Sequence, residues 1–419
     1  MNYIYTDFLA VNDNTHNSSS IELSTPWSHR VDSIRKPPIA EVYNAARDLE
    51  KAGREIIRLG QAVPWFGPPD WALEQFIDQI HESAVNRYSP DPGFPELRIL
   101  LSERWFGNRG FFIDPLNELH ITVGASQAFM SALTTVADSG NMVVLSDPYY
   151  FDHLYAVQFL DCLPHFVPMR ETDDGFSYDV NRTIEAIKNG ARVVVLVHPS
   201  NPTATVIPAS DLQRIAISCA RHRCYLILDE TYERFLYDQI PAWHPWMDKE
   251  TRPWCLTIGS FSKTFGMAGW RIGYLFGPAS LLEQALKVQD SVAICAPVPA
   301  QFLLKIILNG PVDKWLEVRI RELHRRRRLT EDTFNRPGSF LRWRQASGAF
   351  FTFLAYGSRR SSADIAIEIL RTTGAALVPG SSFGSMGEYH LRLSFGSSTA
   401  EELDTALIRL LEYAPSPLA

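Results

Sequence analysis

The sequence has no long hydrophobic run and no excess of positive charge. No apolar segment of its 419 residues approaches the length of a membrane span. Lys and Arg number 40 against 47 Asp and Glu, a net charge of −7. The one basic cluster, Arg325 to Arg328, lies among glutamates in a helix-like stretch and is predicted to be a solvated helix face. We therefore expect neither a membrane nor a nucleic acid as partner.

Cysteine is scarce as well. The five cysteines are an odd number without metal-type spacing: Cys162, Cys219, Cys224, Cys255 and Cys295. Buried free thiols in a reducing compartment are the better interpretation. Residues 1–25 are polar and lack the apolar core of a signal peptide, so the sequence predicts a cytoplasmic protein.

Short apolar runs rich in β-branched residues alternate with helical patterns from about residue 70 onward. Runs of this type, each followed by small or polar residues, are Leu119–Val123, Met142–Leu145, Arg192–Val197, Tyr225–Leu228 and Cys255–Ile258. Strands that alternate with helices predict an α/β fold with a mainly parallel, buried sheet. Ligands collect at the carboxyl ends of such strands, so residues just past these runs are the candidates for a site.

The two ends of the chain differ from this pattern. Residues 1–30 are predicted to be an N-terminal arm. The C-terminal third has short strands at Gly348–Leu354 and Tyr389–Phe395 and helices at Ser362–Thr372 and Ala400–Tyr413. We therefore expect a smaller α+β domain, made of residues 31–60 with 305–419, beside a large domain of residues 61–304.

The segment from Gly259 to Gly273 carries the strongest chemical signal. Lys263 follows the last of the apolar runs, between small polar residues, and Arg271 comes eight residues later. A lysine amine can form a Schiff base with an aldehyde cofactor. The hydroxyls of Ser260 and Ser262 and the guanidinium of Arg271 could hold a phosphate. An aldehyde with a phosphate describes pyridoxal 5'-phosphate, although the short motif alone is also compatible with an ordinary surface lysine.

Other strand ends offer what such a cofactor needs. Asp229 could keep a pyridine nitrogen protonated, or could simply cap the next helix. Tyr232 and Asn201 could contact the ring oxygen. Tyr149 or Tyr150 could stack on the ring, or pack in the core.

Two further positions suggest anion binding. Gly124-Ala125-Ser126 opens a predicted helix, whose backbone N–H groups favour a phosphate unless Ser126 is only a cap. Arg392, flanked by apolar residues, needs a partner, which could be a substrate carboxylate or a structural carboxylate.

Taken together and in this order, the motifs resemble those of fold-type I aminotransferases of class I/II, over roughly residues 35–415. The motifs are Tyr88 with Gly93-Phe94-Pro95-Glu96-Leu97-Arg98, Gly124-Ala125-Ser126-Gln127-Ala128, Pro148-Tyr149-Tyr150, Asn201-Pro202-Thr203, Asp229-Glu230-x-Tyr232, Ser260-x-Ser262-Lys263-x-Phe265-Gly266-x-x-Gly269-x-Arg271, Pro379-Gly380-x-x-Phe383-Gly384 and Arg392. The subgroup with kynurenine-type and bacterial aspartate-type enzymes is the most similar. The resemblance implies a seven-stranded type of sheet in an α/β/α sandwich, with the small domain appended.

The resemblance also implies a role for each site residue. Lys263 would hold pyridoxal phosphate covalently and act as the catalytic base, with Asp229 and Tyr232 as catalytic partners on the ring nitrogen and ring oxygen. The remaining cofactor contacts would come from Ala125, Ser126, Tyr150, Asn201, Ser260, Ser262 and Arg271. Tyr88 would reach the phosphate of the neighbouring subunit, which implies a homodimer. Arg392 would bind the substrate α-carboxylate, with Asn201, Ala62 and Trp65 beside it.

Two departures from the family pattern concern the substrate side. Ala204 stands where the family usually has Gly after Asn-Pro-Thr, which we expect to be mild because Ala replaces Gly readily at negative φ. Ala62 stands where the family often has Gly, and Trp65 where it often has Asp; both could narrow the pocket.

The implied activity moves an amino group from an L-amino acid to a 2-oxo acid by a ping-pong cycle. No basic residue lies near Asp290-Ser291, where dicarboxylate-specific relatives carry a second arginine. We therefore expect a neutral donor, the aromatic amino acids included, and Trp65, Phe66, Tyr149, Phe350 and Phe351 are candidates for its pocket, with core packing as the alternative. A lyase, decarboxylase or oxidase on the same scaffold, and more remotely a regulatory protein that senses the cofactor, remain alternatives.

Overall fold

The computed structural model describes residues 27–32, 34, 37–172, 175–237 and 243–415. Most of the predicted N-terminal arm, residues 1–26, lies outside the described residues. The α-helices of the described part are α1 (His29–Asp32), α2 (Ile39–Lys51), α3 (Asp70–Gln79), α4 (Pro95–Leu100), α5 (Gly124–Val136), α6 (Phe151–Phe159), α7 (Val180–Lys188), α8 (Ala209–Arg221), α9 (Phe261–Thr264), α10 (Ala279–Ala293), α11 (Val298–Asn309), α12 (Val312–Phe334), α13 (Ser362–Thr373) and α14 (Ala400–Leu411).

The strands form one large sheet and three small ones. They are β1 (Ile57–Arg58), β2 (Leu119–Thr122), β3 (Met142–Asp147), β4 (Leu163–Pro168), β5 (Arg170–Thr172), β6 (Gly175–Ser177), β7 (Val193–Val197), β8 (Tyr225–Asp229), β9 (Cys255–Ser260), β10 (Gly273–Phe276), β11 (Leu341–Arg342), β12 (Phe351–Tyr356), β13 (Ala375–Ala376), β14 (Val378–Pro379) and β15 (His390–Ser394).

The large sheet has seven strands in the order β2-β10-β9-β8-β7-β3-β4. All neighbours are parallel except β10, which runs antiparallel to both β2 and β9. Side chains of β7 alternate between two cores: Val194 and Leu196 face one, Val193 and Val195 the other. Because both faces are buried, the strands are continuous hydrophobic runs. This confirms the predicted α/β fold with a mainly parallel sheet in an α/β/α sandwich.

A second, antiparallel sheet has the order β11-β12-β15-β14 and supports a separate core with α2, α13 and α14. Helix α12 connects the two parts of the molecule, since Trp315 and Leu316 belong to the core under the large sheet and Leu323 and Phe334 to the second core. The proposed boundaries of the two domains stay a prediction.

The arginine run of α12 departs from the prediction of a solvated face. Arg325 is exposed and pairs with Glu322, but Arg326 is buried and donates to the carbonyl oxygen of Ser398 at 2.6 Å. Arg327 is half-buried and donates to the carbonyl oxygen of Ala346. The run is therefore partly a structural anchor, because these guanidiniums satisfy carbonyl groups at the ends of loops.

Candidate active site

A cavity of about 880 Å³ opens at the carboxyl ends of β7, β8 and β9. It brings together twelve of the residues that the sequence analysis singled out: Ala62, Ala125, Ser126, Tyr150, Asn201, Asp229, Tyr232, Ser260, Ser262, Lys263, Arg271 and Arg392. Distant segments meet here because parallel strands end at the same edge of the sheet.

Lys263 lies in α9, a single helical turn that directly follows β9. The hydroxyl oxygen of Ser260 caps this turn by accepting the N–H of Ser262 at 3.1 Å. Burial lowers the pKa of the Lys263 amine to about 8, and the positive charges of Arg392 and Arg271 act in the same direction. The amine is therefore available in its neutral, nucleophilic form near pH 8.

Arg271 and the start of α5 form one end of the cavity. Arg271 has a left-handed backbone, φ 55°, and its guanidinium donates to the carbonyl oxygen of Ala268 at 3.0 Å. A Cβ on Gly124 would lie 2.8 Å from a terminal nitrogen of Arg271, and the φ of Gly124 is +72°. Only glycine allows the guanidinium to lie this close to the first turn of α5. The free N–H groups of that turn and the guanidinium together suit an anion.

Two serine hydroxyls stand at the same end. Ser260 donates its hydroxyl hydrogen to the hydroxyl oxygen of Ser262 at 2.8 Å, and both side chains are buried. A hydroxyl group can donate or accept a hydrogen bond. Both serine hydroxyls can therefore rotate to donate hydrogen bonds to a bound oxyanion.

Asp229 ends β8 and is buried. One carboxylate oxygen accepts the N–H of Thr231 at 2.9 Å, and the other lies 3.1 Å from Nε2 of His153. His153 is not part of any motif found in the sequence. Its position three residues after Tyr150 is a weak signal, since His153 and Asp229 are far apart in the chain and meet only once it is folded.

Tyr232 and Tyr150 provide two phenols in the cavity. Burial raises the pKa of both above the usual range of tyrosine, so both hydroxyls stay protonated and can donate. Tyr232 packs edge-on against Phe351, with ring centroids 5.2 Å apart. The Tyr150 hydroxyl donates to a carboxylate oxygen of Asp152 at 2.6 Å.

Arg392 lies on β15 at the other end of the cavity. It is 4% exposed, and it donates to the side-chain oxygen of Asn201 at 2.6 Å and to the carbonyl oxygen of Gly60 at 2.7 Å. Its Nε has no hydrogen-bond partner among the described residues. Burial lowers its pKa, and no carboxylate pairs with it in the described chain. A buried guanidinium without a counter-anion is suited to binding one.

Two expected site residues lie elsewhere. Trp65 is not part of the cavity lining; its ring stacks under Arg326, with the guanidinium carbon 3.9 Å from the ring centroid. This cation–π contact places the ring against α12, and the expected effect of Trp65 on the pocket stays a prediction. Tyr88 is 76% exposed and is not part of the lining either. Its proposed contact with a second subunit stays a prediction.

The aromatic residues expected to form the pocket are also placed differently. The cavity lining includes none of Trp65, Phe66, Tyr149, Phe350 and Phe351, and Phe350 and Phe351 are fully buried in the second core. Core packing was the alternative for them. The cavity instead has a mostly apolar and aromatic wall formed by Ile34, Ile39, Tyr43, Phe129, Met130, Phe151, Tyr155 and Phe159.

Ala204 corrects a second expectation. Its φ is +58°, in the left-handed region, and its side chain is fully buried. The substitution of the family glycine is therefore not mild, because a Cβ in this region costs of the order of 1 kcal/mol. Ala62, by contrast, lies at the cavity as expected, half-buried.

Two kinds of site are absent from the described part of the chain. None of its His, Cys, Asp and Glu residues form a group able to hold a metal ion. None of its helices is long and apolar enough to cross a bilayer.

Comparison with known proteins gives the same assignment as the fold and the site. The family model for aminotransferase class I and II matches residues 54–410. An aspartate aminotransferase of Rhizobium meliloti is 30% identical over 94% of this chain and 98% of its own length. The aromatic aminotransferase ISS1 of Arabidopsis thaliana is 29% identical over 91% of this chain and 95% of its own length.

Solved structures agree. The crystal structure of the Rhizobium meliloti aspartate aminotransferase superposes with a TM-score of 0.84 at 27% identity and covers 92% of this chain and 98% of that one. An aromatic aminotransferase of Pyrococcus horikoshii gives 0.79 at 29% identity and covers 87% and 97%. The family match and these similar structures together show that the chain is a transferase. The chain belongs to the aminotransferase class I and II family, whose members use pyridoxal phosphate and act on amino acids and 2-oxo acids.

Proposed function

We propose that this chain binds pyridoxal phosphate and transfers the amino group of a neutral L-amino acid, the aromatic ones included, to a 2-oxo acid by a ping-pong mechanism. One observation carries the proposal. A lysine with a pKa lowered to about 8 lies in one cavity with two arginines, one beside a helix N-terminus and one buried without a counter-anion.

The residues present fit the cofactor. Gly124 leaves room for the Arg271 guanidinium, so the first turn of α5, Arg271, Ser260 and Ser262 would hold the phosphate. Asp229, positioned by His153, would pair with the pyridine nitrogen. Tyr232 and the amide nitrogen of Asn201 would donate to the ring oxygen. These groups supply a complementary donor or acceptor for each polar part of the cofactor.

The bound cofactor supplies an aldehyde that takes up the amino group and a ring that accepts the electron pair released at the substrate Cα. The residues of this chain do the rest. Arg392 binds the α-carboxylate and, with Asn201 fixed against it, orients the substrate. Lys263 removes the proton at Cα, which its lowered pKa makes efficient near neutral pH.

The cavity wall supports a neutral donor. Apart from Lys263, Arg271 and Arg392, the described lining residues include no lysine or arginine. The two arginines are assigned to the phosphate and the α-carboxylate, so the described lining offers no further lysine or arginine for a second substrate carboxylate. The apolar and aromatic wall favours a large uncharged side chain.

We also propose a homodimer. Tyr88 is highly exposed for a large aromatic residue, and other apolar side chains such as Ile77, Phe112 and Val292 are exposed as well. A second subunit would cover part of this surface and would bring its own Tyr88 to the phosphate.

A donor screen tests the proposal. The purified protein is loaded with pyridoxal phosphate, and neutral, aromatic, acidic and basic amino acids are compared with 2-oxoglutarate as acceptor. We expect glutamate to form with neutral donors, and parallel lines in double-reciprocal plots at several acceptor concentrations. Release of ammonia without glutamate would contradict the proposal in favour of elimination or oxidation. The rate of covalent cofactor capture should rise with pH up to about 8, since only the neutral amine of Lys263 reacts.

A further inference from the structure

Asp152 is a carboxylate at the cavity with no role in the chemistry described above. It lies in the first turn of α6 and is half-buried. One of its oxygens accepts the hydroxyl hydrogen of Tyr150 at 2.6 Å. A carboxylate has acceptor capacity for several hydrogen bonds, so most of the capacity of Asp152 is unused by this contact.

No positive group of the described chain pairs with Asp152. None of the ion pairs found among the described residues involves Asp152, although its charge acts on the Lys263 amine against the larger effect of burial. The cations of the cavity are assigned to other tasks: Lys263 to the amino group, Arg271 to the phosphate and Arg392 to the α-carboxylate. Asp152 is therefore a partly desolvated acceptor that is open to a donor from a bound molecule.

The surroundings of Asp152 indicate the shape of that molecule. Asp152, Tyr155 and Phe159 recur at helical spacing along one face of α6, and all three line the cavity. The face reaches the surface at Phe159, which is partly exposed. Burial raises the pKa of Tyr155, and the negative charge of Asp152, which lies one helical turn away, acts in the same direction. An aromatic substrate side chain can stack along this face with one edge at Asp152.

We propose that Asp152 is a specificity-determining residue that accepts a hydrogen bond from an N–H group on the ring of an aromatic amino acid, an indole being the simplest case. The inference rests on the proposed function, because it assumes that Arg392 fixes the α-carboxylate of an amino acid in this cavity. Phenylalanine leaves the acceptor without a partner, which a site built for a donor penalises.

The test compares tryptophan with 3-benzothienylalanine, which has the same shape and carries sulfur in place of the N–H. A hydrogen bond to a charged acceptor should favour tryptophan by about 10- to 100-fold in kcat/KM. In Asp152→Leu this ratio should fall to about 1. In Asp152→Asn, which keeps one acceptor oxygen, it should stay above that of the leucine variant.

Binding provides a readout that does not depend on turnover. The affinities of 3-indolepropionate and 3-benzothienylpropionate for the cofactor-loaded protein are measured by calorimetry, in wild type and in both variants. As for kcat/KM, the wild type should bind the indole acid more tightly than its sulfur isostere. The ratio of the two affinities should be about 1 in Asp152→Leu and higher than that in Asp152→Asn. If transamination fails while the two acids are still discriminated, the proposed function is wrong and the role of Asp152 stands.

Three results would overturn the inference. One is equal use of tryptophan and its sulfur isostere by the wild type. Another is a ratio that Asp152→Leu leaves unchanged while kcat falls for all donors alike, which would assign Asp152 to the reaction itself. The third is that the enzyme prefers lysine to the uncharged norleucine and shows no preference for indole. Asp152 would then recognise a positively charged side chain.

Discussion

The two arginines of the cavity hold their guanidiniums in different ways. Arg271 is exposed, its backbone is left-handed, and it is fixed by a backbone carbonyl and by the absence of a side chain on Gly124. Arg392 is buried, lies on a regular strand, and is fixed by Asn201 and by the carbonyl oxygen of Gly60. The first end is held by backbone alone, and the second by a side chain as well as a backbone carbonyl. We infer that substitutions that alter the backbone are most harmful at the Arg271 end. Substitutions that alter the charged group are most harmful at the Arg392 end.

Lys263→Ala removes the group between the two ends and should have the largest effect. Covalent capture of the cofactor should be lost, and turnover should fall by at least about 10⁴-fold, because the nucleophile and the general base disappear together. Visible absorbance of the purified protein and a glutamate-forming assay measure the two effects. Lys287→Ala, at an exposed lysine of α10, should change neither. Borohydride trapping of cofactor on another lysine in the Lys263→Ala protein would refute the assignment.

Arg392→Lys tests the end that depends on charge geometry. A lysine keeps the charge but cannot form two parallel N–H···O bonds. The loss of transition-state stabilisation, calculated from the fall in kcat/KM for amino acids, should be roughly 2–5 kcal/mol. The visible spectrum of the bound cofactor should stay nearly the same. Arg326→Lys is the matched control, since Arg326 is equally buried and lies outside the cavity lining; it should lower stability and leave carboxylate affinity unchanged. Loss of the cofactor with KM unchanged would make Arg392 structural.

Gly124→Ala tests the end that depends on backbone. The new Cβ would meet Arg271 at 2.8 Å, so we expect cofactor affinity to fall by about 10-fold or more, as for other changes that displace a charged donor. Gly140→Ala is the control, because Gly140 also has a positive φ, +80°, with nothing within 4 Å of the added Cβ. Both variants should lose about 1 kcal/mol of stability. Fluorescence titration with pyridoxal phosphate separates them, and equal affinities would refute the steric argument.

Ala204→Gly should give the smallest effect and the opposite sign. Glycine relieves the left-handed strain at φ +58° but makes the unfolded chain more flexible, so we expect a gain of about 0.5–1 kcal/mol in the free energy of unfolding. Urea denaturation measures it. Ala216→Gly, at a buried position inside α8, should instead cost about 1 kcal/mol. A loss of stability in both variants would mean that Ala204 is not strained.

The sequence predicted the central strands and the residues that follow them, because buried parallel strands are continuous apolar runs. It did not reveal β4, an edge strand with two prolines whose side chains are mostly exposed or half-buried, or β10, an antiparallel strand that begins where the glycine-rich segment after Lys263 ends. β4 lacks the apolar run that marks a buried parallel strand, and β10, although apolar, has only four residues and directly follows the motif.

The apolar wall of the cavity was harder to predict than the motif residues at the strand ends. Motif residues lie at strand ends, whose meeting point follows from topology. Tyr155 and Phe159 lie inside an ordinary helix, and which face of α6 borders the cavity depends on packing against β4 and the N-terminal segment. The conformation of Ala204 was missed because residue type predicts a negative φ, and here the surrounding loop overrides that preference.

Ser260 and Gly273 are direct partners in the antiparallel pair of β9 and β10. Residues 261–272 therefore form a closed loop of fixed circumference, with Lys263 near one end and Arg271 near the other. An inserted or deleted residue would have to be absorbed between Lys263 and Arg271, or it would shift the register by one and turn the side chains of a whole strand to the opposite face. The separation of the reactive amine from the phosphate contact is thus set by chain length, so evolution can exchange residues within the loop far more readily than it can add or remove one.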